Sequence, residues 1–250
     1  MKRALSITAV LFALCLVLSG CGKAQHAEKL IEEIGEVTID SGPQIEAAEQ
    51  AIAELNTDQK EKVSNLNLLE SAKLQYADAL ELKKENDKKI KQVEKKIQDI
   101  KTVTIDSGNA INMAREAFER LEPELQSDVS NKDALFSAEE TFEQMAIQTV
   151  TDTINQIGTV TLENEEAVTL AVETYNKFDE SIQQKIENRD ILFTAEETLT
   201  QLKIEKAQSA IEAIGNVTLD SKAAIDAASD AFNSIPTASR VKVENRAELT

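Results

Sequence analysis

Tryptophan is absent from this 250-residue chain, and histidine, cysteine and proline are scarce, at one, two and three. With His26 as the lone histidine there is no Cys/His cluster of the kind that holds zinc, and a nucleophile would have no second imidazole to draw on. His26 reads as a surface residue. Neither a glycine-rich phosphate loop nor a calcium loop of alternating acids around a glycine occurs. Adjacent acids such as Glu139 with Glu140, Glu165 with Glu166 and Glu196 with Glu197 read as solvated helix faces, not as paired catalytic carboxylates. The sequence therefore points to no enzyme and assigns no catalytic, cofactor-binding or metal-binding residue. Positive charge is also short, with 27 Lys and Arg against 45 Asp and Glu and a net charge of −18. That balance excludes nucleic acid as a partner class, since such binding requires phosphates to be neutralised by Lys and Arg, and it opposes lying flat on anionic lipid.

What is present begins at the N-terminus. Lys2 and Arg3 precede an apolar run from Ala4 to Leu18 that is too short for a comfortable membrane span, followed by Leu18-Ser19-Gly20-Cys21. Leu-Ser-Gly-Cys resembles the lipobox of bacterial lipoproteins. The resemblance implies that residues 1–20 are a lipoprotein signal peptide, that the chain is cut before Cys21, and that Cys21 carries a diacylglyceryl thioether with fatty acylation of the new amine. It implies an extracytoplasmic chain held at the cell membrane through its lipid. Because Cys15 lies in the removed segment and Cys21 carries lipid, the mature chain has no disulfide and rests on apolar packing. Removing Lys2 and Arg3 leaves 25 bases against 45 acids, a charge of −20.

The body is repetitive. Val-Thr-(Ile/Leu)-(Asp/Glu)-(Ser/Asn) occurs at Val37, Val103, Val160 and Val217, and each copy is followed 26 residues later by a β-branched residue and then an Asn: Val63 and Asn65, Val129 and Asn131, Ile186 and Asn188, Val243 and Asn245. Upstream of each motif, apolar residues at spacings of three and four mark one face of a helix, as in Ala24, Ala27, Ile31 and Ile34. Gly35, Gly158 and Gly215 stand where a left-handed residue closes that helix; Lys101 takes the place in the second copy, whose helix is expected to end less cleanly.

The Val-Thr stretch is expected to be an extended connector, with Ser41, Ser107, Asn164 and Ser221 as N-caps of a second helix whose buried face is Ile45, Ala48, Ile52 and Leu55 in the first copy. One or two helical turns follow. The recurring Asn then reads as the cap of a third helix with a Leu four residues on, and no glycine or proline separates this helix from the first helix of the next copy. The aromatic side chains Tyr76, Phe118, Phe136, Phe142, Tyr175, Phe178, Phe193 and Phe232 fall at or beside these apolar positions and read as core, with none left over as a stacking platform.

The predicted fold is all-α: tandem three-helix-bundle repeats joined by shared continuous helices into an elongated rod. In architecture this resembles spectrin-type rods. In sequence the Ile-Gly-x-Val-Thr-(Leu/Ile)-Asp-Ser core and Val-x-Asn-x-x-x-Leu close resemble helical repeats of surface proteins and lipoproteins of Gram-positive bacteria, over residues 24–250. The segments read as repeat 1 at 21–80, a charged helical insertion at 81–89, and repeats 2, 3 and 4 at 90–146, 147–203 and 204–250. The insertion follows from motif spacings of 66, 57 and 57, which place nine extra residues in the first junction. Repeat 4 stops before its third helix, so either the chain is a fragment of a longer protein, the favoured reading because Ile225, Phe232 and Ile235 stay apolar, or its last copy is an atypical cap. The functional expectation is a lipid-anchored surface spacer or protein-interaction scaffold with a protein partner on the repeat surface; the alternative is a stalk whose binding or catalytic domain lies C-terminal to Thr250.

Overall fold

The computed structural model describes residues 20–249, with the backbone alone at Gly20 and Cys21. The expected signal peptide, apart from the backbone of Gly20, and the expected lipidation site, the side chain of Cys21, lie outside the described residues. Among the described residues there is no strand, and the fold is an all-α helical repeat. The helices are α1 (Gly20–Glu32), α2 (Gly42–Ala53), α3 (Thr57–Lys60), α4 (Leu66–Asp99), α5 (Gly108–Glu119), α6 (Pro123–Gln126), α7 (Lys132–Asn155), α8 (Glu165–Asn176), α9 (Glu180–Gln183), α10 (Arg189–Glu212) and α11 (Lys222–Asn233). Two 3-10 helices, Thr237–Lys242 and Arg246–Leu249, follow. The uninterrupted helices expected between copies are α4, α7 and α10.

Two compact units result. Of the described residues, 20–92 with Leu121–Asp128 make one, and Val93–Arg120 with 129–249 make the other. The first unit is centred on Ala24, Ala27, Ile31 and Ile34 of the α1 segment, Ile45 and Ala48 of α2, and Leu69 and Ala72 of α4. In the second unit, Val150, Ile154, Val168, Ala171, Leu192 and Ala195 form one core, and Ile204, Ala207, Ile211, Ala228 and Ile235 another. Thus α7 packs on both α5 and α8, and α10 on both α8 and α11. Ala48, Ala114, Ala171 and Ala228, at one repeated position of the second helix, are wholly buried, and a methyl group there leaves room for the neighbouring helix.

The helix-closing residue is left-handed in every copy: φ is +60° at Gly35, +56° at Lys101, +63° at Gly158 and +56° at Gly215. Contrary to expectation, the second copy ends its helix as the others do. Lys101 accepts the strained conformation because the burial of Ile97 and Ile100 on one side and Ile111 on the other fixes the chain direction between them.

The capping expectation is corrected. Ser41, Ser107 and Ser221 stand at the N-cap position, yet their backbones are already helical and their side chains make no cap bond. Each Oγ instead accepts from the amide three residues back, Thr38, Thr104 and Thr218, at 2.9 Å, closing the connector as a turn. Asn164 does the same with Oδ1 on the Thr161 amide, and its Nδ2 donates to the Ile157 and Thr159 carbonyls.

Candidate functional site

One polar side chain, the recurring asparagine, makes the same long-range bond in all four copies. Asn65, Asn131, Asn188 and Asn245 donate from Nδ2 to the carbonyls of Glu28, Glu94, Thr151 and Gln208, always 37 residues upstream, at 2.9–3.1 Å. Asn131 and Asn188 occupy the N-cap position but make no side-chain cap bond, so the expected capping role is replaced by a tie to the first helix of the same copy. In all four, Oδ1 is buried without a hydrogen-bond partner. A buried unpaired carbonyl oxygen costs about 1–3 kcal/mol, so the asparagine persists for the tie its amide makes and not for complete satisfaction. Beside it in the first two copies, Glu28 accepts from the Ser64 amide and hydroxyl, and Glu94 from those of Ser130. The Ser64 hydroxyl and then its amide hold the Glu28 carboxyl below the usual glutamate range.

A second set of recurring pairs lies between the second and third helices of a copy, and its chemistry changes from copy to copy. Glu49 of α2 pairs with Lys73 of α4 at 2.8 Å. At the equivalent positions of the second copy the charges are exchanged, with Arg115 of α5 forked onto Glu139 of α7. Glu139 and desolvation act oppositely on the guanidinium, and the carboxylate prevails, raising its pKa. At the start of the second helix, Gly42 and Gly108 lie under Tyr76 and Phe142: a Cβ at Gly42 would run into the Tyr76 hydroxyl, and one at Gly108 would meet the Phe142 ring at 2.8 Å. In the third copy the aromatic is Leu199, the glycine is Glu165, and Glu165 pairs with Lys203.

Other sequence candidates do not converge. His26 is exposed. Of the acid pairs, Glu139 and Glu165 are taken by Arg115 and Lys203, while Glu140, Glu166, Glu196 and Glu197 are exposed. The insertion is laced along its own helix by Lys83 with Asp87 and Lys89 with Glu85. Among the described residues, no group of three or more His, Cys, Asp or Glu could hold a metal ion, and no helix is long and apolar enough to cross a membrane.

The expectation for the aromatics is corrected at two positions. Phe136 and Phe193 are 41% and 46% exposed and pack edge-to-face on Phe118 and Tyr175, each at 5.8 Å between centroids. The Arg115 guanidinium lies 5.0 Å from the Phe136 ring. Each residue directly follows a buried leucine, Leu135 or Leu192, and so is turned about 100° from the core face. That offset was the available signal. No family model, curated protein or solved structure matches the chain.

Proposed function

We propose that this chain is a lipid-anchored, extracytoplasmic helical repeat that serves as a surface spacer or protein-interaction scaffold, attached to the membrane through Cys21. The observation that carries this reading is where the recurring residues go. The Asn ties, the Ser/Asn turn closures, the left-handed helix ends and the buried alanines all build the module itself. Residues that recur in every copy are thereby used in packing, whereas exposed positions vary: Phe136 and Phe193 share one repeat position that is Glu70 in the first copy, and Met113 stands where the other copies have Ala47, Leu170 and Ala227, as a surface open to partner selection would. Leu-Ser-Gly-Cys supports the lipid anchor, and the net charge of −18 supports a body held off an anionic membrane.

Attachment is tested by feeding labelled palmitate to cells expressing the natural chain or Cys21→Ala, then separating membrane from soluble fractions. The natural chain should carry label and sediment with membranes, and the variant should do neither. Equal labelling of the two forms would end the proposal.

A further inference from the structure

The second and third copies enclose a cavity that neither makes alone. It lies within the second unit, between the first turn of α5, the middle of α7 and the end of α8, and measures about 530 Å³. Small-ligand sites span roughly 300–1,000 Å³, so the space is of ligand size. Phe142 and Phe178 line its apolar side as partly exposed rings, 6.2 Å apart between centroids. The polar side is formed by Asp106, Asn109, Asn112 and Lys177, all exposed. Among the described residues, the side chains of Asp106, Asn112 and Lys177 make no hydrogen bond or ion pair, and Asn109 reaches only the Met113 sulfur, at 3.8 Å.

This lining is particular to one junction. Asn109 stands where the other copies have Pro43, Glu166 and Ala223, and Asn112 where they have Glu46, Thr169 and Asp226. Gly108 admits the Phe142 ring, whereas the next junction has Glu165 there, paired with Lys203, and Leu199, Ile235 and Ser234 in place of Phe142, Phe178 and Lys177. We infer that the cavity between the second and third copies is a binding site for a neutral saccharide. A pyranose offers an apolar C–H face, which packs on rings such as Phe142 and Phe178, and a rim of hydroxyls that both donate and accept. Each carboxamide presents a donor and an acceptor from one planar group, so Asn109 and Asn112 match those hydroxyls, with Asp106 accepting and Lys177 donating beside them. The opposite charges of Asp106 and Lys177 set a like charge against any singly charged ligand, which favours a neutral one. The inference goes beyond the scaffold reading and does not depend on the lipid anchor.

The experiment titrates isotope-labelled protein of residues 22–250 with maltotriose, cellotriose and triacetylchitotriose, and with glucose and N-acetylglucosamine, at millimolar concentrations. At least one probe should shift the amide resonances of Asn109, Asn112 and Lys177 saturably. A trimer that binds several-fold more tightly than its own monosaccharide identifies a glycan chain as the source, and equal binding identifies a free sugar. Combining Asn109→Ala with Asn112→Ala should weaken binding several-fold while resonances elsewhere stay in place, since both side chains are exposed. Lys177→Ala, also exposed, should weaken it in the same sense and is a second variant should the first lose its fold. Absence of saturable shifts with every saccharide, or binding that these variants leave unchanged, overturns the inference. So does a free amino acid that shifts the same amides when no saccharide does, which would give the cavity to a charged ligand.

Discussion

At the scale of single residues, the left-handed lysine and the serine-bound glutamate make the clearest statements. Lys101 carries a Cβ at φ +56°, where the three equivalent residues are glycines. Relieving that steric cost, offset in part by glycine's greater freedom in the unfolded chain, should make Lys101→Gly more stable by about 0.5–1 kcal/mol. Urea denaturation of residues 22–250 measures this, and a less stable variant would show that the lysine side chain contributes more than the backbone strain removes. Glu28 has its pKa lowered by the Ser64 hydroxyl and amide, against a weaker opposing effect of burial. The folded state thus binds this proton less readily than the unfolded state does, so the stabilisation is complete above the unfolded value of 4.5 and is lost as pH falls through the lower folded value. Glu28→Gln should be less stable than the parent at about pH 7, with the gap closing at about pH 2. A gap that is the same at both ends of a pH series of melts would assign the effect to shape and not to charge.

At the scale of elements, the long helix α4 is the informative case. Its 34 residues extend roughly 51 Å, and Glu81–Lys89 lie within it without a buried side chain. Deleting these nine residues restores the 57-residue motif spacing of the other junctions. It also removes about two and a half turns, close to 13.5 Å. Melting temperature should change little, because the buried residues on either side, Leu69 and Ala72 before and Val93 and Ile97 after, are retained. Spin labels placed at Leu74 and Gln98 in a Cys21→Ala background should approach each other by about 13.5 Å. An unchanged separation, or a large loss of stability, would count against an insertion that only lengthens the helix.

At the scale of the whole molecule, each unit has a core drawn from its own residues, with the first centred on Ala27, Ile31 and Ala48 and the second on Val150, Ala171 and Ile211. In repeat proteins stability is a sum of local terms and nearest-neighbour interfaces, so damage stays close to where it is made. Ala171→Asp puts an unpaired charge at a wholly buried position between α7, α8 and α10. Hydrogen exchange should show the amides of α7, α8 and α10 losing protection while those of α1 and α2 keep theirs. Simultaneous loss in both sets would mean that the chain unfolds as one cooperative body.

The repeat, the helical class, the apolar faces, the three glycine helix ends and the unbroken α4, α7 and α10 were all legible in the sequence, because each depends on spacing or on one residue's backbone preference, whereas the left-handed end at Lys101 was not. Val-Thr was correctly separated from strand by its shortness between helical patterns. Side-chain partners were not legible. The recurring Asn looked like a cap since it precedes a helix, but its amide is turned toward a carbonyl 37 residues away that only tertiary packing brings within reach. Ser107 looked like a forward cap, and the conformation of its own backbone made it close the turn behind it. The same holds for the Glu49–Lys73 and Arg115–Glu139 exchange and for the glycines beneath Tyr76 and Phe142. Periodicity reports which face of a helix is buried, whereas the identity of the neighbour across the interface depends on the register between two helices, and that is fixed only when their side chains interlock.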